Sequence, residues 1–340
     1  MKTQHIVMTA PRRAELQSHE IPDEPPPGRA LVEAEYSIIS PGTEGARFAG
    51  IIPKPRRPQA DKPAYPRSTG YGHLGKVLAV GDGVTMCAPG DRVLSFSNHA
   101  RHVMAVATRM ALPVPPDGDG LRFVFARMAG VGIAGLRSSS LQAGDRALVI
   151  GLGLVGNLAA QILRLNGVDV MAADIEPFRL DKARECGLEP TVNPAENSLE
   201  ETVEAWTGGA GADCVIDATG MSEVIVEAVE HVRSFGEMIL LGSPRAEAVV
   251  DVTPFLGAIH LRSIRLIGAL EWGWPQHPTH RVRDLEANYR RILRWIETGR
   301  LSVEPLLTSV LPPAQCQEAY TRLVDHKDEE MAVVFDWSRV

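Results

Sequence analysis

The stretch Arg146-Ala-Leu-Val-Ile-Gly151-Leu-Gly153-Leu-Val-Gly156 decides the architecture. Arg146–Ile150 is a short apolar run of β-formers, and it passes directly into a G-x-G-x-x-G. A helical pattern follows, with Leu158, Ile162 and Leu165 on one face and Gly167 as its stop. Val168–Ala173 reads as a second strand, with Asp174 at its C-terminal end. Strand, glycine turn, helix, strand and terminal carboxylate together form the dinucleotide-binding context, which a lone glycine motif does not. Gly151 permits the tight turn, Gly153 lets the backbone approach a pyrophosphate, and Gly156 lets helix and strand pack closely. Leu154 and Val155 open the helix, whose free N–H groups favour phosphate. Asp174, with Ile175 beside it, suits the ribose hydroxyls of NAD and repels the 2′-phosphate of NADP. Arg179 is the opposing signal, since a guanidinium can hold a phosphate. Two further strand ends, Asp217-Ala218-Thr219-Gly220 and Leu240-Leu241-Gly242-Ser243, are expected to border the same cofactor.

Outward from this motif the pattern changes. From about Phe123 to Ile267, helical stretches alternate with short apolar strands, which predicts a parallel sheet with helical crossovers. The first hundred residues are β-rich: His5–Met8, Ala30–Tyr36, Gly75–Val80 and Arg92–Phe96 are strand candidates between turn clusters, a pattern of small barrels or sandwiches. Near the end, Leu285, Tyr289, Ile292, Leu293 and Ile296 share one helical face, and Met331–Phe335 closes the chain as an apolar strand. Three segments follow: 1–120, 121–270 and 271–340.

Composition narrows the classes. Lys and Arg number 35 against 42 Asp and Glu, a net charge of −7 that argues against general nucleic-acid binding. The four cysteines are scattered, which excludes a zinc-ribbon spacing and suits a reducing compartment. No signal-peptide or membrane-spanning run is read, so the expectation is a cytoplasmic protein with a small-molecule substrate and neither membrane nor nucleic-acid partners.

The order of the segments, with Gly75-Lys-Val77, Gly90-Asp91-Arg92-Val93, the glycine motif with Asp174, and Ala319-Tyr320, resembles the medium-chain dehydrogenase/reductase superfamily across essentially the whole chain. The resemblance implies an α/β protein: a GroES-like β-barrel catalytic domain, a doubly wound Rossmann domain and a return segment that completes the barrel. It also implies a homo-dimer or homo-tetramer formed through the dinucleotide domains, with Ile264–Ala269 as the edge.

The departures matter as much as the matches. Where zinc members carry a Cys ligand, this chain has Pro41, with Thr43 and Glu44 keeping the hydroxyl and carboxylate positions. The His of the Gly-His-Glu ligand motif is Tyr71, and the third ligand position falls on Arg127. His73 lies two residues out of register. Ser40–Glu44 and Gly70–Gly75 resemble a zinc-free branch, with similar segments in bacteriochlorophyllide dehydrogenase and in sugar or cyclitol dehydrogenase-like members.

Without a metal, a side chain must move the hydroxyl proton and a fixed charge or dipole must hold the oxygen. Tyr71 is the first candidate, with Thr43 as relay, Glu44 orienting Tyr71 or His73 or acting as base, and Arg127 supplying positive charge. Each has a structural alternative: Tyr71 fills space, Thr43 bonds its turn, Glu44 pairs with an arginine, His73 is a packed hydrogen-bonder, and Arg127 makes a salt bridge. Trp272 and Trp274 are candidates to stack on substrate, against a packing role. The leading reading is a zinc-independent oxidoreductase moving hydride between NAD and a secondary alcohol, such as a sugar or cyclitol. The alternatives are a zinc-free reductase of quinones or activated C=C bonds, and a nucleotide-binding protein without catalysis.

Overall fold

The computed structural model describes residues 1–51, 64–107, 111–245, 247–273 and 284–340. They fall into two compact units: Met1–Arg127 with 275–299 and Leu306–Val340, and Met128–Trp274 with Arg300–Pro305. The division thus falls later than residue 120, and the return segment is split. Residues 300–305 stay with the second unit because Gln161 clamps the Ser302 backbone twice, donating to its carbonyl and accepting from its N–H, both at 2.9 Å.

The first unit is β-rich. Its strands are β1 Lys2–Ala10, β2 Arg13–Glu20, β3 Arg29–Ile38, β4 Arg67–Ser68, β5 His73–Val80, β6 Arg92–Ser95, β7 His102–Val106 and β8 Ala111–Pro113. The second unit supplies β9 Arg146–Ile150, β10 Asp169–Ala173, β11 Thr191–Val192, β12 Ala212–Asp217, β13 Val232–Leu240 and β14 Arg265–Gly268. β15 Leu307–Leu311 and β16 Ala332–Asp336 then return to the first.

Two sheets build the first unit: β2-β1-β4, and β15-β16-β3-β5-β6-β8 with β7 paired to β3. One core gathers Ile6, Met8, Ile39, Phe48, Tyr320, Phe335 and Trp337. A second gathers Ala30, Val32, Val77, Val93, Val103 and Ala105. β2 escapes a hydropathy reading because only Ala14 of its eight residues is buried; its pairing with β1, not its own pattern, makes it a strand.

In the second unit the order β11-β10-β9-β12-β13-β14 is parallel throughout. Strand alternation builds both faces from one short run. Ala147 and Val149 enter one core with Val170, Ala172, Cys214 and Ile216. Leu148 and Ile150 enter the opposite core with Met171, Ala173 and Val215. Both faces of β9 are buried, so the glycine turn leaves from an interior strand held on both sides. Among the described residues no helix is long and apolar enough to cross a membrane.

Candidate functional site

In the second unit, β9 ends at Gly151, whose φ of +92° is the left-handed region that glycine adopts freely. A Cβ on Gly151 would lie 2.8 Å from the Thr219 side chain, and one on Gly156 would lie 1.8 Å from the Gly151 carbonyl oxygen. Those two glycines serve close packing. Gly153 is different: a Cβ there would meet nothing within 4 Å. Gly153 is also the N-cap of the helix Leu154–Leu165, which receives no side-chain cap. The helix start is therefore an open cradle of backbone N–H groups, which fits the phosphates of a dinucleotide.

Asp174 is 5% exposed and braces that cradle. Its Oδ2 accepts the Leu152 N–H at 2.6 Å and its Oδ1 accepts the Glu176 N–H at 2.9 Å. A carboxylate has about four acceptor directions, so capacity remains for ribose hydroxyls. Arg179 lies 3.5 Å from Asp174 Oδ2, already engaged by the acid. Ile175 is 68% exposed beside it.

Asp217, at the end of β12, accepts from the Thr219 N–H and hydroxyl and from the Gly220 N–H. Burial pushes its carboxyl up, against the pull of these bonds. The loop it ties places Ala218 and Thr219 against Gly151, while a Cβ on Gly242 would strike the Gly220 nitrogen at 2.3 Å. Three strand ends thus meet at backbone contact, with Ser243 exposed beyond them. The sequence segments pointed here, but the bracing role of Asp217 shows only in the hydrogen bonds.

In the first unit, Tyr71 stands between Gly70 and Gly72. A Cβ on Gly70 would sit 2.5 Å from the His99 nitrogen, and one on Gly72 would sit 2.8 Å from Ile38 and 2.9 Å from Arg127. Only glycine at both positions lets the chain through this gap. Tyr71 is half-buried, and its hydroxyl donates to Ser40 Oγ at 2.5 Å. Arg127 is fully buried, with Nε donating to the Tyr71 carbonyl at 3.0 Å and Nη1 to the Tyr289 hydroxyl at 2.7 Å. Its guanidinium also lies over the Tyr71 ring at 4.6 Å and the Phe96 ring at 4.2 Å. The Arg127 guanidinium is thus walled by two aromatic rings.

Glu44 is fully buried on the helix Pro41–Phe48. Its Oε1 accepts the Ser40 N–H at 2.9 Å. Its Oε2 accepts from the hydroxyls of Thr69 at 2.5 Å and Tyr320 at 2.6 Å and from His99 Nε2 at 3.1 Å. Burial pushes the carboxyl up, but the His99 ring and the bonds from His99, Ser40 and Thr69 outweigh it and hold Glu44 below the usual range. Burial and the Glu44 carboxylate push the Tyr320 hydroxyl well up, so it remains a donor. His99 Nδ1 shares a 2.8 Å bond with Ser37 Oγ, which also accepts the Trp337 Nε1–H.

These contacts correct two expectations. Glu44 bonds neither Tyr71 nor His73 and pairs with no arginine among its bonds here; it reaches Tyr71 through Ser40. His73 is fully buried on β5, 3.3 Å from the Ala100 carbonyl, and burial pushes its pKa down to about 3. It is a neutral packed imidazole facing Ser95, not a group beside the Tyr71 hydroxyl. Thr43 is half-buried, one residue before Glu44. Trp272 is 52% exposed in the turn Glu271–Gly273, and Trp274 lies outside the described residues. Sequence reasoning missed Ser40, Thr69, His99 and Tyr289; isolated hydroxyls and rings carry no spacing signal.

The family model for zinc-binding dehydrogenases matches residues 155–285. The D-guloside 3-dehydrogenase of Shigella flexneri is 25% identical over 97% of this chain and 99% of its own. The chain is similar to dehydrogenases of the medium-chain dehydrogenase/reductase type. Two solved structures share the fold of this dehydrogenase. One is a Sinorhizobium meliloti dehydrogenase bound to NADP, with 20% identity, 99% of each chain covered and a TM-score of 0.79. The other is an Escherichia coli alcohol dehydrogenase complexed with NADH, with 19% identity, 99% of each chain covered and a TM-score of 0.80. Its curated relatives are named dehydrogenases, and the protein is an oxidoreductase of the alcohol-dehydrogenase type.

The residues of this dehydrogenase do not fit the metal in the family's description. Pro41, Tyr71 and Arg127, the positions the resemblance assigns to ligands, do converge. Tyr71 bonds Ser40, next to Pro41, and Arg127 bonds Tyr71. Tetrahedral zinc takes Cys, His or carboxylate donors. Proline offers no side-chain donor atom, and a guanidinium is a permanent cation without a lone pair to give. Among the described residues no three His, Cys, Asp or Glu side chains are grouped to hold a metal.

Proposed function

We propose that this dehydrogenase transfers hydride between NAD and a secondary alcohol of the sugar or cyclitol class without zinc. The observation that carries the reading is the Arg127 guanidinium, buried under the Tyr71 ring at the position where the resemblance expects a ligand. The bound nicotinamide supplies the hydride chemistry. The chain's own part is to hold the dinucleotide on Gly151–Gly156 and to present Tyr71 to the substrate oxygen. Arg127 supplies a fixed positive charge in low dielectric, which favours a developing alkoxide. NAD is favoured over NADP because a 2′-phosphate beside Ile175 would face the Asp174 carboxylate, and Arg179 is already paired to that acid.

A second copy is the partner we propose for the edge strand β14. Among the described residues it pairs only with β13, Leu266 is 43% exposed, and the neighbouring helix Thr253–Arg262 buries none of its residues. Solution mass reads this directly.

Tyr71→Phe tests the chemistry. On a polyol and cyclitol panel with NAD, kcat is expected to fall about 100-fold or more, the scale of a lost acid–base group. NAD-induced thermal stabilisation stays at the wild-type value. Turnover within a few-fold of wild type removes Tyr71 from the chemistry; stabilisation and reduction by NADPH alone, with quinones as acceptors, favour the reductase reading.

A further inference from the structure

We propose that Ser40 is the positioning residue of the Tyr71 hydroxyl, with Glu44 as its clamp. This deepens the reading of Tyr71 as the acid–base group and rests on it for its catalytic meaning.

Ser40 occupies the N-cap of the helix Pro41–Phe48. A serine there ordinarily accepts a backbone N–H from the first turn, a contact whose loss costs about 1 kcal/mol. Here the side chain makes no cap bond. The hydroxyl instead receives the Tyr71 phenol at 2.5 Å, while Ser40 itself is 3% exposed. A buried hydroxyl diverted from its helix to a half-buried phenol marks Tyr71 as the group being held.

The clamp runs through the backbone. Glu44 Oε1 takes the Ser40 N–H at 2.9 Å, and its other oxygen is fixed by Thr69, Tyr320 and His99. The carboxylate therefore cannot swing without breaking buried bonds, and Ser40 cannot shift without leaving the carboxylate. On the far side Arg127 fixes the Tyr71 carbonyl and lies over its ring. Hydroxyl, ring and carbonyl are each held by a different group.

This sets the direction of the hydrogen bonds. A phenol carries one proton, and Ser40 receives it. What Tyr71 offers to a visiting molecule is the lone pairs of its oxygen. The resting geometry is thus an acceptor for the O–H of an alcohol.

The test uses full-length protein with 13C-labelled tyrosine rings. There are five tyrosines, and the Tyr71 signal is identified by its loss in Tyr71→Phe. Ser40→Ala is expected to displace the Tyr71 signal and Ser40→Thr, which keeps the hydroxyl, to return it. A serine serving only its helix would change the melting temperature and leave that signal in place. Such a result, or an equal displacement in Ser40→Thr, overturns the proposal.

With an alcohol that the enzyme turns over, Ser40→Ala is expected to lower kcat about tenfold, the scale of one lost hydrogen bond, with KM within about twofold. Ser40→Thr restores it. A displaced Tyr71 signal with unchanged kcat leaves the positioning intact and overturns the catalytic reading of Tyr71 instead. The spectrum decides the positioning even if no alcohol on the panel is turned over.

Discussion

Glu44→Ala destabilises the barrel unit by about 3–5 kcal/mol, the scale of removing one partner from a buried charged network. The loss is large because four donors lose one acceptor together: the Ser40 N–H, the Thr69 and Tyr320 hydroxyls and the His99 ring. Burying such groups unpaired costs more than the carboxylate's own hydrogen bonds contribute. Glu44→Gln keeps the shape but turns an amide N–H₂ toward donors, so a smaller loss is expected. Calorimetric unfolding measures both. Acid dissects the same network. Glu44 is held below its ordinary value of 4.5, so its contribution is complete above about pH 4.5 and fades as pH falls through the folded value. His73 acts earlier. Its folded pKa is about 3 against an ordinary 6.5, so below pH 6.5 the unfolded chain binds a proton that the native ring refuses. Native stability is expected to fall from pH 6.5 downward, and more steeply below pH 4.5 in wild type than in Glu44→Ala. A flat profile between pH 6.5 and 4.5 would contradict the burial of His73, and equal slopes below pH 4.5 in wild type and Glu44→Ala would contradict the part given to Glu44.

The second large effect separates the glycines of the turn. Gly153→Val is expected to leave the fold intact and to weaken NAD binding about 100-fold or more, roughly 2.7 kcal/mol. Gly153 has φ −58° and ψ 176°, which valine adopts, and its Cβ would project into open space. In the proposed binding mode that open space is where the pyrophosphate passes. Gly156→Val, by contrast, places Cβ within 1.8 Å of a backbone oxygen and is expected to destabilise the unit by about 3 kcal/mol or more. Melting curves with and without NAD distinguish the two, since a ligand that binds only the native state raises stability with its concentration. A Gly153→Val protein that NAD stabilises like wild type would remove the cradle from the account.

Much of this was legible because the physics was local. The run Arg146–Ile150 alternates between two cores, and the glycines that follow carry their conformational needs in their identity. Asp174 was legible as a candidate for the ribose hydroxyls, but not as the brace of the Leu152 N–H, because that bond spans two strand ends. Tyr71 and Arg127 drew attention by standing at two of the positions where zinc ligands were expected. The partners that hold Tyr71 and Glu44 were silent as such in the sequence. Ser40, Thr69, His99 and Tyr320 come from four separate segments, and only the folded β-rich unit puts them on one carboxylate and one phenol. His73 misled because a histidine near a site is chemically suggestive, whereas strand β5 turns it into the interior.

The most direct measurement is the metal content of the purified dehydrogenase alongside its NAD-linked turnover of a secondary alcohol before and after chelation. The account predicts zinc far below one per chain and an unchanged rate of reduced-nicotinamide formation after chelation. One tightly held zinc per chain, with turnover lost on its removal and restored on its return, would contradict it.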